Sequence, residues 1–147
     1  MTTENNISAE DTMTLTSGIS AFESKQFVRA YELLFPLTEK GNTEAMYRLA
    51  IISQNGLGMV ANKEKAFNWM KDAAENGLDL AQHGLGFMYM EGECAEQDYA
   101  KAIHWFKLAS EQGLAGAQAT LGNMYQEGLG VEVDLDEAKR WFAKAGF

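Results

Sequence analysis

Cysteine occurs once in 147 residues, at Cys94, so the chain can form no internal disulfide and has no C-x-x-C pair from which to build a zinc site. Histidine occurs only at His83 and His104. With a single thiol they supply too few ligands for a metal centre and little material for a Cys–His nucleophile pair. Proline occurs once, at Pro36. Because proline punctuates loops and blocks helix interiors, its scarcity predicts helix throughout. Basic residues are also few: 12 Lys and Arg against 21 Asp and Glu leave a formal net charge of −9. Such a chain repels phosphate backbones and anionic lipid surfaces, which argues against nucleic acid or membrane as a direct partner. No run approaches the ~18 apolar residues of a membrane span. Residues 1–11 show neither a basic segment nor an apolar one, so no secretory signal is read there, and a cytoplasmic location is expected.

What the chain does have is a period. Trp69, Trp105 and Trp141 are 36 residues apart, and the same step relates Ala45, Ala81 and Ala117; Leu49, Leu85 and Leu121; Gly56, Gly92 and Gly128; Ala66, Ala102 and Ala138; and Ala73, Ala109 and Ala145. Several small or apolar columns in one phase identify a tandem array of one supersecondary unit.

Each unit reads as a helical hairpin. In the second, Ala81, Leu85, Met88 and Tyr89 fall on one face of a first helix, here called helix A, and Ala117, Leu121, Met124 and Tyr125 repeat this in the third. A glycine-bearing loop beginning at Gly56, Gly92 or Gly128 ends helix A, with a left-handed conformation expected at the glycine. Asn62, Asp98 and Asp134 stand where helix B needs an N-cap. Helix B carries Ala66, Trp69 and Ala73 or their equivalents: the alanines allow close helix approach, and tryptophan fills the space between units. Gly77 and Gly113 close helix B.

The phase extends backward. Phe27 to Glu39 reads as another helix B, and about Met13 to Phe22 as its helix A, joined by a shorter connection. The expected organisation is therefore a disordered tail over 1–11 and a single helical array over 12–147. The array begins with an atypical hairpin at 12–41, followed by units at 42–78, 79–114 and 115–147. The fold class is all-α, a right-handed α-solenoid of about four stacked antiparallel helical hairpins.

In the third unit Ala117, Leu121-Gly122, Tyr125, Gly128, Gly130-Val131, Asp134, Ala138, Trp141 and Ala145 together resemble a Sel1-like repeat, a relative of the tetratricopeptide repeat with a longer loop between its helices. The second unit fits but has Cys94 at the second loop glycine. The first departs further, with Ala50 for glycine, Ser53 for tyrosine and Asn62 for aspartate. The resemblance implies a non-catalytic adaptor that binds a protein or peptide, with no cofactor and no metal. Some bacterial relatives are cysteine-rich, exported and bind β-lactams; a chain with one cysteine departs from that pattern.

In tetratricopeptide-like arrays helix A lines the concave face. By that resemblance the partner-binding positions are Leu15, Ile19 and Phe22 in the atypical hairpin, and Tyr47, Ile51 and Gln54 in the first full unit. His83, Phe87 and Met90 follow in the second, and Asn123 and Gln126 in the third. The apolar members form a stripe with polar neighbours, suited to a helix or an extended peptide; the alternative is that they pack on one another. The array is expected to be a monomer or a weak homodimer through its C-terminal end. Two other functions fit less of the sequence: an immunity-type inhibitor of a toxin, which shares the binding physics, and a small-ligand binder or hydrolase built on His83, Cys94 and nearby acids. The pair Gly128-x-Gly130 lacks the Lys-Ser/Thr of a phosphate loop. The acids Glu132, Asp134, Asp136 and Glu137 read as charge favourable to a helix N-terminus, not as a calcium loop.

Overall fold

The computed structural model describes residues 7–147, and every regular element there is an α-helix. In chain order these are α1 (Ala9–Glu23), α2 (Phe27–Glu39), α3 (Thr43–Asn55), α4 (Lys63–Glu75), α5 (Asp79–Glu91), α6 (Tyr99–Glu111), α7 (Ala115–Glu127) and α8 (Leu135–Lys144). Consecutive helices pair into hairpins, α1 with α2 through α7 with α8. The chain divides into two compact units, one ending at Asn76 and one running from Gly77 to Phe147, so each holds two hairpins. No helix among the described residues is long and apolar enough to cross a membrane.

Helix starts follow the capping chemistry read from the sequence. Asn62, Asp98 and Asp134 accept the N–H groups of Lys65, Lys101 and Glu137 at 3.0, 3.1 and 3.0 Å, satisfying amides that have no partner within the helix. The same three residues donate their own N–H back to the Ser53, Tyr89 and Tyr125 carbonyls at 2.8, 2.8 and 2.9 Å, locking each loop onto the helix before it. Gly56, Gly92 and Gly128 take φ of 63, 69 and 73° as the left-handed ends of α3, α5 and α7. Cys94 stands in the next left-handed position of its loop, with φ 67° where Gly58 and Gly130 have 71°. A side chain there costs about 1–2 kcal/mol relative to glycine.

The atypical hairpin differs from expectation at its start. The proposed tail covered residues 1–11; residues 1–6 lie outside the described residues, whereas Ala9 to Asp11 belong to α1. The reason is Ser8, whose hydroxyl accepts the Asp11 N–H at 3.0 Å and starts the helix. Pro36 lies inside α2 on its exposed side, where it cannot donate to the Glu32 carbonyl.

Three of the hairpins are closed by one side chain entering the gap left by a glycine. In the second unit Gly86 of α5 faces Phe106 of α6, and a Cβ on Gly86 would stand 2.5 Å from Phe106 Cε1. Gly122 of α7 faces Phe142 of α8 in the same way, at 2.7 Å. In the first unit Gly18 of α1 faces Leu34 of α2. Positions 34, 70, 106 and 142 share the 36-residue phase, so Ala50 and Met70 occupy the same register in the second hairpin. Leu34, Met70 and Phe106 are 2% exposed or less.

Around these pairs each unit builds its own core. Ala21, Ala30, Leu34, Leu37, Ala45, Leu49 and Ile52 form the first, with Trp69 packed against it. Trp69 sets its edge against Tyr31 and Phe35 at 6.1 and 6.3 Å between centroids, which ties α4 to α2 as expected of a tryptophan between hairpins. The second core is Ala102, Ile103, Phe106, Leu121 and Met124, with Trp141 against it.

Replacing a helical glycine by alanine ordinarily stabilises a helix by about 1 kcal/mol. Gly86→Ala is expected to do the reverse, lowering the unfolding free energy by about 1–3 kcal/mol, because the added methyl must displace a packed phenyl ring. Urea denaturation measures this directly, and a gain in stability would show that the ring does not fill the gap.

Candidate functional site

The expected binding positions fall into two groups, one on each compact unit. Leu15, Ile19 and Phe22 lie on α1, and Tyr47, Ile51 and Gln54 on the neighbouring α3. All six are half-buried. Leu15 and Phe22 lean on the first core, and Phe22 meets Phe27 edge-on at 5.7 Å.

Sequence reasoning passed over the residue that links these two helices. The Arg48 guanidinium lies 5.4 Å from the Phe22 ring and 5.4 Å from the Tyr47 ring, and it pairs with Glu44 at 3.6 Å. Its side chain is only 15% exposed, and its Nε is buried without a hydrogen-bond partner. Cation–π contact of this desolvated kind contributes on the order of 1–2 kcal/mol and holds two aromatic side chains in place. The available signal was the arginine itself, at a register where the other units have Gly84 and Thr120.

On the second unit the positions behave less uniformly. Asn123 and Gln126 of α7 are exposed, whereas His83, Phe87 and Met90 of α5 are half-buried. Phe87 and Met90 pack against the second core, and the Phe87 ring is edge-on to Phe106 at 5.3 Å. These two therefore serve the hairpin's own packing. Gln126 and Asn123 are exposed and supply polar surface.

His83 is the most constrained member. Its ring is tilted against Phe87 at 4.8 Å and edge-on to Phe106 at 5.6 Å, and its Nε2 lies 3.2 Å from Thr120 Oγ1 of α7. The Thr120 hydroxyl donates its hydrogen to the Gly116 carbonyl at 2.8 Å, so it can only accept from His83. The proton of the neutral ring is thereby assigned to Nε2. Burial pushes the His83 pKa below its ordinary value of 6.5, since a charged imidazolium is poorly solvated there. His104 is exposed on α6, edge-on to Trp105 at 5.2 Å. Cys94 is half-buried in its loop. Among the described residues no group of three or more His, Cys, Asp or Glu side chains is placed to hold a metal ion.

The depressed His83 pKa fixes the sign of a pH effect. The unfolded chain binds the proton more readily, so the stability contributed by neutral His83 is complete above pH 6.5 and declines as pH falls from there through the lower folded-state pKa. Urea midpoints taken at pH 7.5 and 5 should fall further for the wild type than for His83→Gln, which keeps a donor for Thr120 but does not titrate. Equal losses would remove His83 as the source.

The repeat reading now meets comparison with known proteins. A family model for the Sel1 repeat matches residues 43–78, 79–114 and 115–146, coinciding with the hairpins α3–α4, α5–α6 and α7–α8. Among curated proteins no sequence matches the chain. Among solved structures, a protective antigen of uropathogenic Escherichia coli strains displaying an SLR fold is 36% identical with a TM-score of 0.84, over 92% of this chain and 30% of that one. A Sel1 repeat protein from Oxalobacter formigenes is 30% identical with a TM-score of 0.81, over 89% of this chain and 54% of that one. The chain thus spans about a third and about half of these two proteins. Three in-phase hairpins with left-handed glycine stops, polar N-caps and interhelical tryptophans, matched in sequence and in backbone, place this chain in the Sel1 repeat family.

Proposed function

We propose that this chain is a non-catalytic adaptor or regulator that holds a partner protein or peptide against the first helices of its hairpins. Sel1 repeat proteins are generally protein-interaction scaffolds, and the reading rests on one contrast within this chain. The columns that carry the fold, Leu49, Leu85 and Leu121, are 0% exposed. The apolar side chains at the expected binding positions of α1 and α3, such as Phe22, Tyr47 and Ile51, keep part of their surface accessible.

The first unit is the stronger anchor. Phe22 and Tyr47 are held by Arg48 before any partner arrives, so little side-chain freedom remains to be lost on binding. Rigid aromatic side chains of this sort commonly dominate interface energetics. Phe87 and Met90 likewise pack against their own core, but no cation–π contact braces them among the described residues. Gln54, Asn123 and Gln126 add hydrogen-bonding groups that set register. An inhibitor that blocks a toxin would use the same surface.

Self-association through the C-terminal hairpin is a weaker part of this reading. Leu135 and Phe147 are 58% and 86% exposed there, but Asp136, Lys139 and Arg140 stand among them, which limits the apolar contact to a weak one. Sedimentation over a wide concentration range is expected to show a monomer with at most a slight drift to dimer; a stable dimer at micromolar concentration would contradict the polar composition of that end.

The binding reading is tested with Tyr47→Ala and Ile51→Glu, which alter half-buried positions outside the first core. Affinity capture from native cytosol followed by direct titration of the captured partner should show binding weakened about tenfold or more, a loss of about 1.4 kcal/mol or above. Circular dichroism should show the fold retained. Undiminished capture by both folded variants would overturn the proposal.

A further inference from the structure

An open surface depression of about 450 Å³ lies on the first hairpin, lined by Thr16, Ser17, Ser20 and Ser24 at the α1 side and by Gln26 and Arg29 at the α2 side, with Ala21 beneath. Its composition is a departure from the repeat. Ser17 and Ser20 occupy the registers filled by Leu49, Leu85 and Leu121, and by Ile52, Met88 and Met124, in the other hairpins. Those six side chains are at most 1% exposed and form the cores; the two serines are exposed.

The chain carries 21 acids against 12 bases. Here no lining residue is acidic. Arg29 makes no ion pair among the described residues, and the Ser17 and Ser20 hydroxyls make no hydrogen bond to the protein there. The turn between α1 and α2 carries Lys25 at φ 62°, a left-handed conformation seldom taken by a lysine, and its neighbours Ser24 and Gln26 both line the depression.

We infer that this depression is a binding site for a small oxyanion, a phosphate monoester or a carboxylate, held by the Arg29 guanidinium and the serine hydroxyls. Guanidinium donors match the paired oxygens of such groups, and hydroxyl donors complete the shell without adding opposing charge. The inference is independent of the partner-binding reading, which uses Phe22, Tyr47 and Ile51 and none of these residues.

The test is an amide chemical-shift titration of the whole chain with methyl phosphate and, separately, with acetate, at constant ionic strength set by chloride. Saturable shifts centred on Ser17, Ser20, Ser24 and Arg29 are expected. Arg29→Gln should weaken them about tenfold, and Ser20→Ile, which restores the aliphatic residue of the other hairpins, should abolish them. Arg29 is exposed, so its variant is expected to unfold at the wild-type temperature, which keeps the result readable if Ser20→Ile disturbs the fold. Tighter saturation by methyl phosphate assigns a phosphate ligand, and tighter saturation by acetate a carboxylate. Shifts that rise linearly without saturation, that lie elsewhere, or that persist in Arg29→Gln overturn the site.

Discussion

Three of the four hairpins turn on a missing side chain, and the α3–α4 hairpin has Ala50 in its place. Gly86 and Gly122 leave gaps in α5 and α7 into which Phe106 and Phe142 insert, and Gly18 does the same for Leu34. Closing that gap lets two helix backbones approach at one point, and the approach fixes which residues on either side are covered. The dry columns of Ala45, Ala81 and Ala117, and of Ala66, Ala102 and Ala138, are 3% exposed or less. They depend on that contact, because small residues bury fully only where the facing helix is close. The glycines bear their conformational cost in helices because the ring that replaces the missing methyl buries far more apolar surface than alanine offers.

The loops transmit this geometry from one helix to the next. A left-handed glycine stops helix A, and six residues on a polar N-cap opens helix B while returning its own amide to the end of helix A. The connection is thus bonded at both ends and carries little freedom of its own. Where Cys94 replaces glycine, the backbone keeps the same left-handed φ, which shows that the surrounding bonds, not the residue's preference, set the loop conformation.

Against such a uniform scaffold, differences between hairpins carry the functional content. Arg48 between Phe22 and Tyr47, His83 between Thr120 and two phenylalanines, and Ser17 with Ser20 in leucine and methionine registers each occur once. Each adds a polar or charged group at a place where the array needs none for folding. The first unit gathers two of these three features, the braced aromatic pair and the hydroxyl-lined depression, whereas in the second unit Phe87 and Met90 pack against the core without such a brace among the described residues.

The all-α class, the caps at Asn62, Asp98 and Asp134 and the stops at Gly56, Gly92 and Gly128 were legible from the sequence alone. They depend on local chemistry and on a period, and both are written along the chain. The start of α1 was misjudged because Ser8 acts through a single local hydrogen bond outside the repeat phase. What only the tertiary structure decided is how far each helix A side chain remains accessible. Ile51 and Phe87 share one register, and neither register nor hydrophobicity reveals that Phe87 rests on Phe106 while Ile51 lies outside the first core. Accessibility is set by which side chains fill the space around a residue, and those neighbours come from other helices, many residues away along the chain.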